Sequence, residues 1–128
     1  MNIAAVSKKF NLSLDTLRYY EKIGLISPVN RTSGGIRDYD ETDLKRVEFV
    51  KCMRSAGLPI EALTEYVRLC STGDDTIEAR KEILREQRQL LAARMEEMQK
   101  TLDTLDYKIG FYENIVLNKE KALAGKDT

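Results

Sequence analysis

The stretch Ser13-Leu14-Asp15-Thr16-Leu17-Arg18-Tyr19-Tyr20-Glu21-Lys22-Ile23-Gly24 sets the fold of the whole N-terminal half. Ser13 can accept a hydrogen bond from the free N–H groups of a helix start, Asp15 puts negative charge in the first turn, and Gly24 provides a stop. The pattern predicts a helix from Ser13 to about Ile23. At about 100° per residue, Leu14, Leu17 and Tyr20 fall on one side and Asp15, Arg18, Tyr19 and Lys22 on the other. One side can be buried while the other reaches a partner.

Working outward, Ile3, Val6 and Phe10 lie at helical spacing within residues 2–10, and Asn11-Leu12-Ser13 supplies a tight turn before the second helix. Downstream, Pro28 and the cluster Thr32-Ser33-Gly34-Gly35 separate two short segments with β character, Val29 to Arg31 and Ile36 to Tyr39. This predicts a small hairpin. A third helix is expected from about Glu41 to Ala56, closed by Gly57, and a fourth from Pro59 to Leu69 or Cys70.

From Thr76 the periodicity changes. Ile77, Leu84, Leu91, Met98, Leu105 and Tyr112 recur every seven residues, and Met95, Leu102, Ile109 and Val116 fill a second seam position. A helix of that kind over 76–117 cannot bury its stripe on a 70-residue domain alone, so a second chain is expected along Leu84, Leu91, Met95, Met98, Leu102, Leu105, Ile109 and Tyr112. Lys81 and Arg88 interrupt the early seam, so the first heptads are expected to pack partly on the N-terminal domain. Residues 118–128 read as a flexible, solvated tail. The expected architecture is mainly α: a winged helix-turn-helix DNA-binding domain over 1–70, followed by a long dimerisation coiled-coil helix.

Charge supports a nucleic-acid partner at one end. Residues 1–37 hold six basic side chains (Lys8, Lys9, Arg18, Lys22, Arg31, Arg37) against Asp15 and Glu21, although the whole chain is formally neutral. A basic segment on an acidic body is the footprint of a surface that faces phosphate. There is no His and only Cys52 and Cys70, which excludes a His-based metal site and leaves no disulfide scaffold to expect. No apolar run approaches the ~18 residues of a membrane span, so no membrane partner is expected. Free thiols suit the cytoplasm. No cofactor or metal is called for.

Two short helices and a tight turn, with Arg18, Tyr19 and Lys22 outward on the second, form the layout that places a helix in the major groove of double-stranded DNA. The ordered motifs Thr16-Leu17-Arg18-Tyr19-Tyr20-Glu21, Gly24-Leu25-Ile26 with Pro28, Arg37-Asp38-Tyr39 and Arg54-Ser55-Ala56-Gly57-Leu58 resemble the MerR family of transcriptional regulators over about residues 3–70. The resemblance implies an antiparallel coiled-coil homodimer on operators inside overlong promoters. Distorting that DNA lets RNA polymerase engage both promoter elements, so the polymerase is reached indirectly, through DNA. By position, the resemblance implies DNA contacts from Thr16, Arg18 and Tyr19, from Arg31, Arg37 and Tyr39 in the wing, and from Arg54; Lys22 joins them by its helix face. Tyr20 shares the motif but falls on the packing side.

Cys70 lies on the apolar side of helix four, near Leu63, Tyr66 and Val67, where a buried cysteine is ordinary core. Cys52 instead shares a polar stripe with Lys45, Glu48 and Ser55, with Lys51 and Arg54 close by to favour the thiolate and Glu48 to oppose it. The segment Val47 to Arg54 also resembles the MerR branch that responds to reactive aldehydes or thiol stress through a cysteine at this place. A sensing Cys52 and an incidental one both remain open, as does a DNA-binding regulator without thiol sensing. An enzyme is disfavoured by the absence of His, of paired carboxylates in a cleft and of a Gly-rich phosphate loop. A coiled-coil protein-interaction adaptor would need no basic segment at the recognition helix and wing, and salt-dependent DNA binding discriminates against it.

Overall fold

The structure is a computed structural model that describes the backbone of residues 1–126 and the side chains of residues 1–124. Five α-helices follow one another: α1 (Ile3–Phe10), α2 (Leu14–Lys22), α3 (Glu41–Ser55), α4 (Ile60–Cys70) and α5 (Ile77–Lys126), with one turn of 3-10 helix at Asp74–Thr76.

Local chemistry fixes each start. Asn2 accepts from the Ala5 amide at 2.9 Å to begin α1, and Ser13 accepts from the Thr16 amide at 3.0 Å to begin α2. Asp40 and Asp43 form a reciprocal capping box on α3, with bonds of 2.8 and 3.0 Å. Asn11 adopts the left-handed conformation between α1 and α2, and Gly24, at φ +82°, reverses the chain after α2. Beyond Gly24 the amides of Leu25 and Ile26 both donate to the Tyr20 carbonyl, at 2.9 and 3.1 Å, which seats two fully buried side chains directly after the helix.

The chain divides into two compact units, Met1–Gln89 and Leu90–Thr128. The first is built on Val6, Leu17, Leu25, Ile26, Val47 and Val50, all fully buried, with α1 packed on both α2 and α3. It extends past the 1–70 segment into the start of α5, where Gln87 is buried. In the second unit, Met95, Met98, Leu102, Leu105, Ile109, Tyr112 and Val116 are all exposed along the helix. Within the first unit Leu84, another expected seam residue, is exposed, whereas Leu91 in the second is half-buried.

Three expectations need correction. The hairpin forms no named strand among the described residues: it is one antiparallel bridge, Arg31 to Arg37, closed by Thr32 N–H to the Ile36 carbonyl at 2.8 Å and Asp38 N–H to the Asn30 carbonyl at 2.7 Å. The arms are too short for a longer ladder. Leu14, expected on the packing side of α2, is exposed, because it stands in the first turn just beyond the α1–α2 connection. Residues 118–126, expected as flexible tail, continue α5, since Lys, Glu, Ala and Leu there favour helix and no proline stops it. The rest of the expected tail, residues 127 and 128, lies outside the described residues.

Candidate nucleic-acid interface

The buried residues Leu17 and Tyr20 anchor α2, which leaves Asp15, Arg18, Tyr19 and Lys22 exposed on its other face. Arg18 reaches back to Asp15 at 3.4 Å, an exposed pair that water screens, so the guanidinium can exchange it for a phosphate or a guanine edge. Thr16 is half-buried and its hydroxyl sits 2.7 Å from Ser13 Oγ, within the cap of the helix. The Tyr19 ring is about half exposed and tilts against Tyr20, with centroids 6.4 Å apart.

In the wing, the exposed Arg31 donates to the Gly35 carbonyl at 2.7 Å and so stiffens the tip. Arg37 turns inward instead: its Nε lies 3.2 and 3.3 Å from the two Glu21 carboxylate oxygens. Tyr39, expected to touch DNA, is only 2% exposed and packs in the core. That expectation is corrected, because a side chain enclosed to that degree presents no surface to a duplex. Its hydroxyl is buried without a partner, and burial first, then the nearby Glu21 carboxylate, pushes its pKa up. Arg54 donates to the Leu58 carbonyl at 2.8 Å, bracing the turn between α3 and α4.

The two cysteines differ in setting. Cys52 is exposed on α3 in the same stripe as Lys45, Glu48 and Ser55. Cys70 is half-buried rather than enclosed, with Arg80 donating to its sulfur at 3.8 Å. It also raises the pKa of Tyr66, after the larger effect of burial. No group of three or more Cys, Asp or Glu side chains among the described residues is placed to hold a metal ion, and no helix there is long and apolar enough to cross a membrane. Glu21 was missed from sequence; an acidic residue closing a basic helix was the one available signal.

An exposed basic helix held by a buried face, followed by a stiffened wing, defines a DNA-binding transcriptional regulator of the helix-turn-helix class. The family model for MerR HTH family regulatory proteins matches residues 1–70, and the model described as MerR, DNA binding matches residues 44–107. The chain belongs to the MerR family of DNA-binding transcriptional regulators. The chain is 63% identical over 91 residues to the HTH-type transcriptional regulator AdhR of Bacillus subtilis, covering 71% of this chain and 65% of AdhR, thus just under two thirds of that relative. A Listeria monocytogenes protein assigned to the MerR transcriptional regulators superposes with a TM-score of 0.92 at 42% identity, over 99% of this chain and 96% of that one. HiNmlR, a MerR family regulator lacking the sensor domain and bound to promoter DNA, superposes with a TM-score of 0.79 at 30% identity, over 88% and 90% of the two chains. These relatives are regulators rather than enzymes.

Proposed function

We propose that the protein acts as a homodimer that grips promoter DNA through α2 and the wing of each copy, distorts the duplex between the two half-sites, and takes its signal at Cys52 from reactive aldehydes or other thiol-directed electrophiles. The seam supports the dimer: Met95, Met98, Leu102, Leu105, Ile109, Tyr112 and Val116 are exposed and share one face of α5, and a second copy of the same helix is the simplest cover for them. DNA contacts fall to the exposed residues Arg18, Tyr19, Lys22 and Arg31, with Thr16 in the cap of α2 and Arg54 before the α3–α4 turn as further contacts. RNA polymerase is reached through the DNA.

The observation that carries the sensing step is the exposure of Cys52 on a helix whose opposite face, Val47 and Val50, is core. The thiolate adds to an aldehyde carbon, forming a C–S bond, and the thiol proton ends on the former carbonyl oxygen. The bulkier, polar adduct changes what α3 can pack against and so shifts the state of the dimer on DNA. The test is transcription in vitro from the cognate promoter, with wild type and Cys52→Ser, at rising formaldehyde and methylglyoxal. The proposal expects induction with wild type and none with Cys52→Ser. An equal response by both leaves a DNA-binding regulator without thiol sensing.

A further inference from the structure

Glu21 places a carboxylate in the last turn of the helix whose exposed cations are Arg18 and Lys22. A negative charge there opposes phosphate, and its surroundings explain its presence. Both of its oxygens accept from Arg37 Nε, and the two side chains are 15% and 21% exposed, the most shielded ion pair among the described residues. The pair joins residues 16 apart in sequence, the end of α2 and the return arm of the wing. Arg37 is also bridged to Arg31, and Arg31 holds the Gly35 carbonyl at the wing tip. The hydrogen bonds of that backbone bridge are made by the neighbouring residues, Thr32 N–H to the Ile36 carbonyl and Asp38 N–H to the Asn30 carbonyl, so the ion pair ties to α2 the arm that the bridge pairs with the Arg31 arm. Shielding from water leaves this pair less weakened by salt than the exposed pairs on the same unit.

We infer that Glu21 is a positioning residue for DNA binding: by holding Arg37 it fastens the wing to the recognition helix, so that Arg31 meets the DNA backbone in fixed register with Arg18 and Lys22. Arg37 serves this clamp in place of a phosphate contact. The inference rests on the DNA-binding reading above, and it differs in sign from the reading of Glu21 as a surface charge. Deleting an unpaired acidic charge from a DNA-facing surface raises affinity. Deleting the clamp lowers it, because the wing must then be ordered at the moment of binding.

Binding of the full chain to a fluorescent fragment of its cognate promoter, across about 50–200 mM salt, tests this. Glu21→Gln is expected to lower affinity about tenfold, the scale of a lost charge-assisted bond, even though the protein becomes more positive. Tighter or unchanged binding overturns the inference. Glu21→Gln with Arg37→Gln leaves net charge unaltered; its affinity is expected to fall with the slope of log K against log salt unchanged. A slope shallower by about 0.9 per head shows that Arg37 neutralises a phosphate, and also overturns it. Glu21→Arg with Arg37→Glu restores an opposite-charge pair and is expected to recover most of the affinity, which a general loss of packing would not allow. Should Glu21→Gln lose its cooperative melt, the paired-amide variant decides by its slope. Wild type that does not bind the fragment at any salt in this range removes the DNA-binding reading itself, a failure distinct from all of these.

Discussion

Replacing Leu102 and Leu105 together by aspartate is expected to turn the proposed dimer into monomers. The two side chains are 50% and 55% exposed on α5. Full burial of a leucine contributes about 1.5–3 kcal/mol, so covering the open half of each contributes about 1 kcal/mol. The double substitution removes that twice from each copy. It also asks a carboxylate to enter the apolar seam at each place, which costs at least about 1–3 kcal/mol on the scale of protein polar burial and more for a charge. Over two copies the loss reaches about 8 kcal/mol, or more than five decades in the dissociation constant. Sedimentation velocity from about 1 to 100 μM, a range where a dimer of micromolar affinity or tighter is populated, reads the outcome. Asp103→Asn, which lies off the seam on the same helix, serves as control and is expected to remain dimeric. Because the first unit packs its own core, the double variant should retain a cooperative melt. A double variant that still sediments as a dimer, or a wild type that is monomeric throughout, refutes the seam.

Tyr39→Phe removes a buried hydroxyl that has no partner, so denaturant titration is expected to show no loss of stability and a gain of up to about 1 kcal/mol. Unchanged DNA affinity should accompany it, and a drop would restore Tyr39 to the interface. Gly24→Ala meets no atom within 4 Å but must hold φ +82°, so a loss of about 1–2 kcal/mol is expected from backbone strain alone. A neutral result would show that the turn relaxes. The Asp43 carboxyl is raised above its usual 3.8 chiefly by burial, despite the bond from the Asp40 amide, with the charges of Asp40 and Glu21 adding to the rise. A carboxyl whose folded pKa exceeds its unfolded one penalises the fold while ionised, and that penalty fades as pH falls through the folded pKa toward the unfolded one. Asp43→Asn is therefore expected to be more stable than wild type at neutral pH, by a margin that shrinks toward pH ~4; a margin that grows on acidification refutes the assignment.

Much of this was legible because local chemistry and packing agree. Ser13, Asp15 and Gly24 mark the limits of α2, and burial of Leu17 and Tyr20 makes the charged residues between them the outward face. The heptad spacing of α5 marks a face that is exposed from Met95 to Val116. Tyr39 was misread because a motif gives residue order, whereas burial depends on which way a wing with a single bridge is folded onto α2. The end of α5 was misread because solvated, charged residues look like tail in a search for buried stripes, while Lys119, Glu120, Lys121, Ala122 and Leu123 carry helix propensity of their own. α5 runs unbroken through Gly110, since a helix of 50 residues tolerates a cost of about 1 kcal/mol at one position. The pairing of Glu21 with Arg37 left no signal beyond an acidic residue at the end of a basic helix, as nothing in a spacing of 16 residues says that two opposite charges meet.

The clamp and the seam together bear on how binding is made conditional. With Arg37 committed to Glu21, the exposed cations aimed from α2 and the wing reduce to Arg18, Lys22 and Arg31, the first already sharing a weak pair with Asp15. About three phosphate contacts give a salt slope near −3 and binding in the range of non-specific contacts. Two such heads joined in the proposed dimer double the contacts, and the second head binds as an intramolecular event at high effective concentration. Affinity then depends on the distance and angle between the heads more than on either head alone. A regulator built this way needs no ligand at the DNA surface to be switched. In the proposed mechanism a change on α3 that alters the spacing of the heads suffices, since the proposed clamp of Arg37 on Glu21 holds each wing to its own recognition helix.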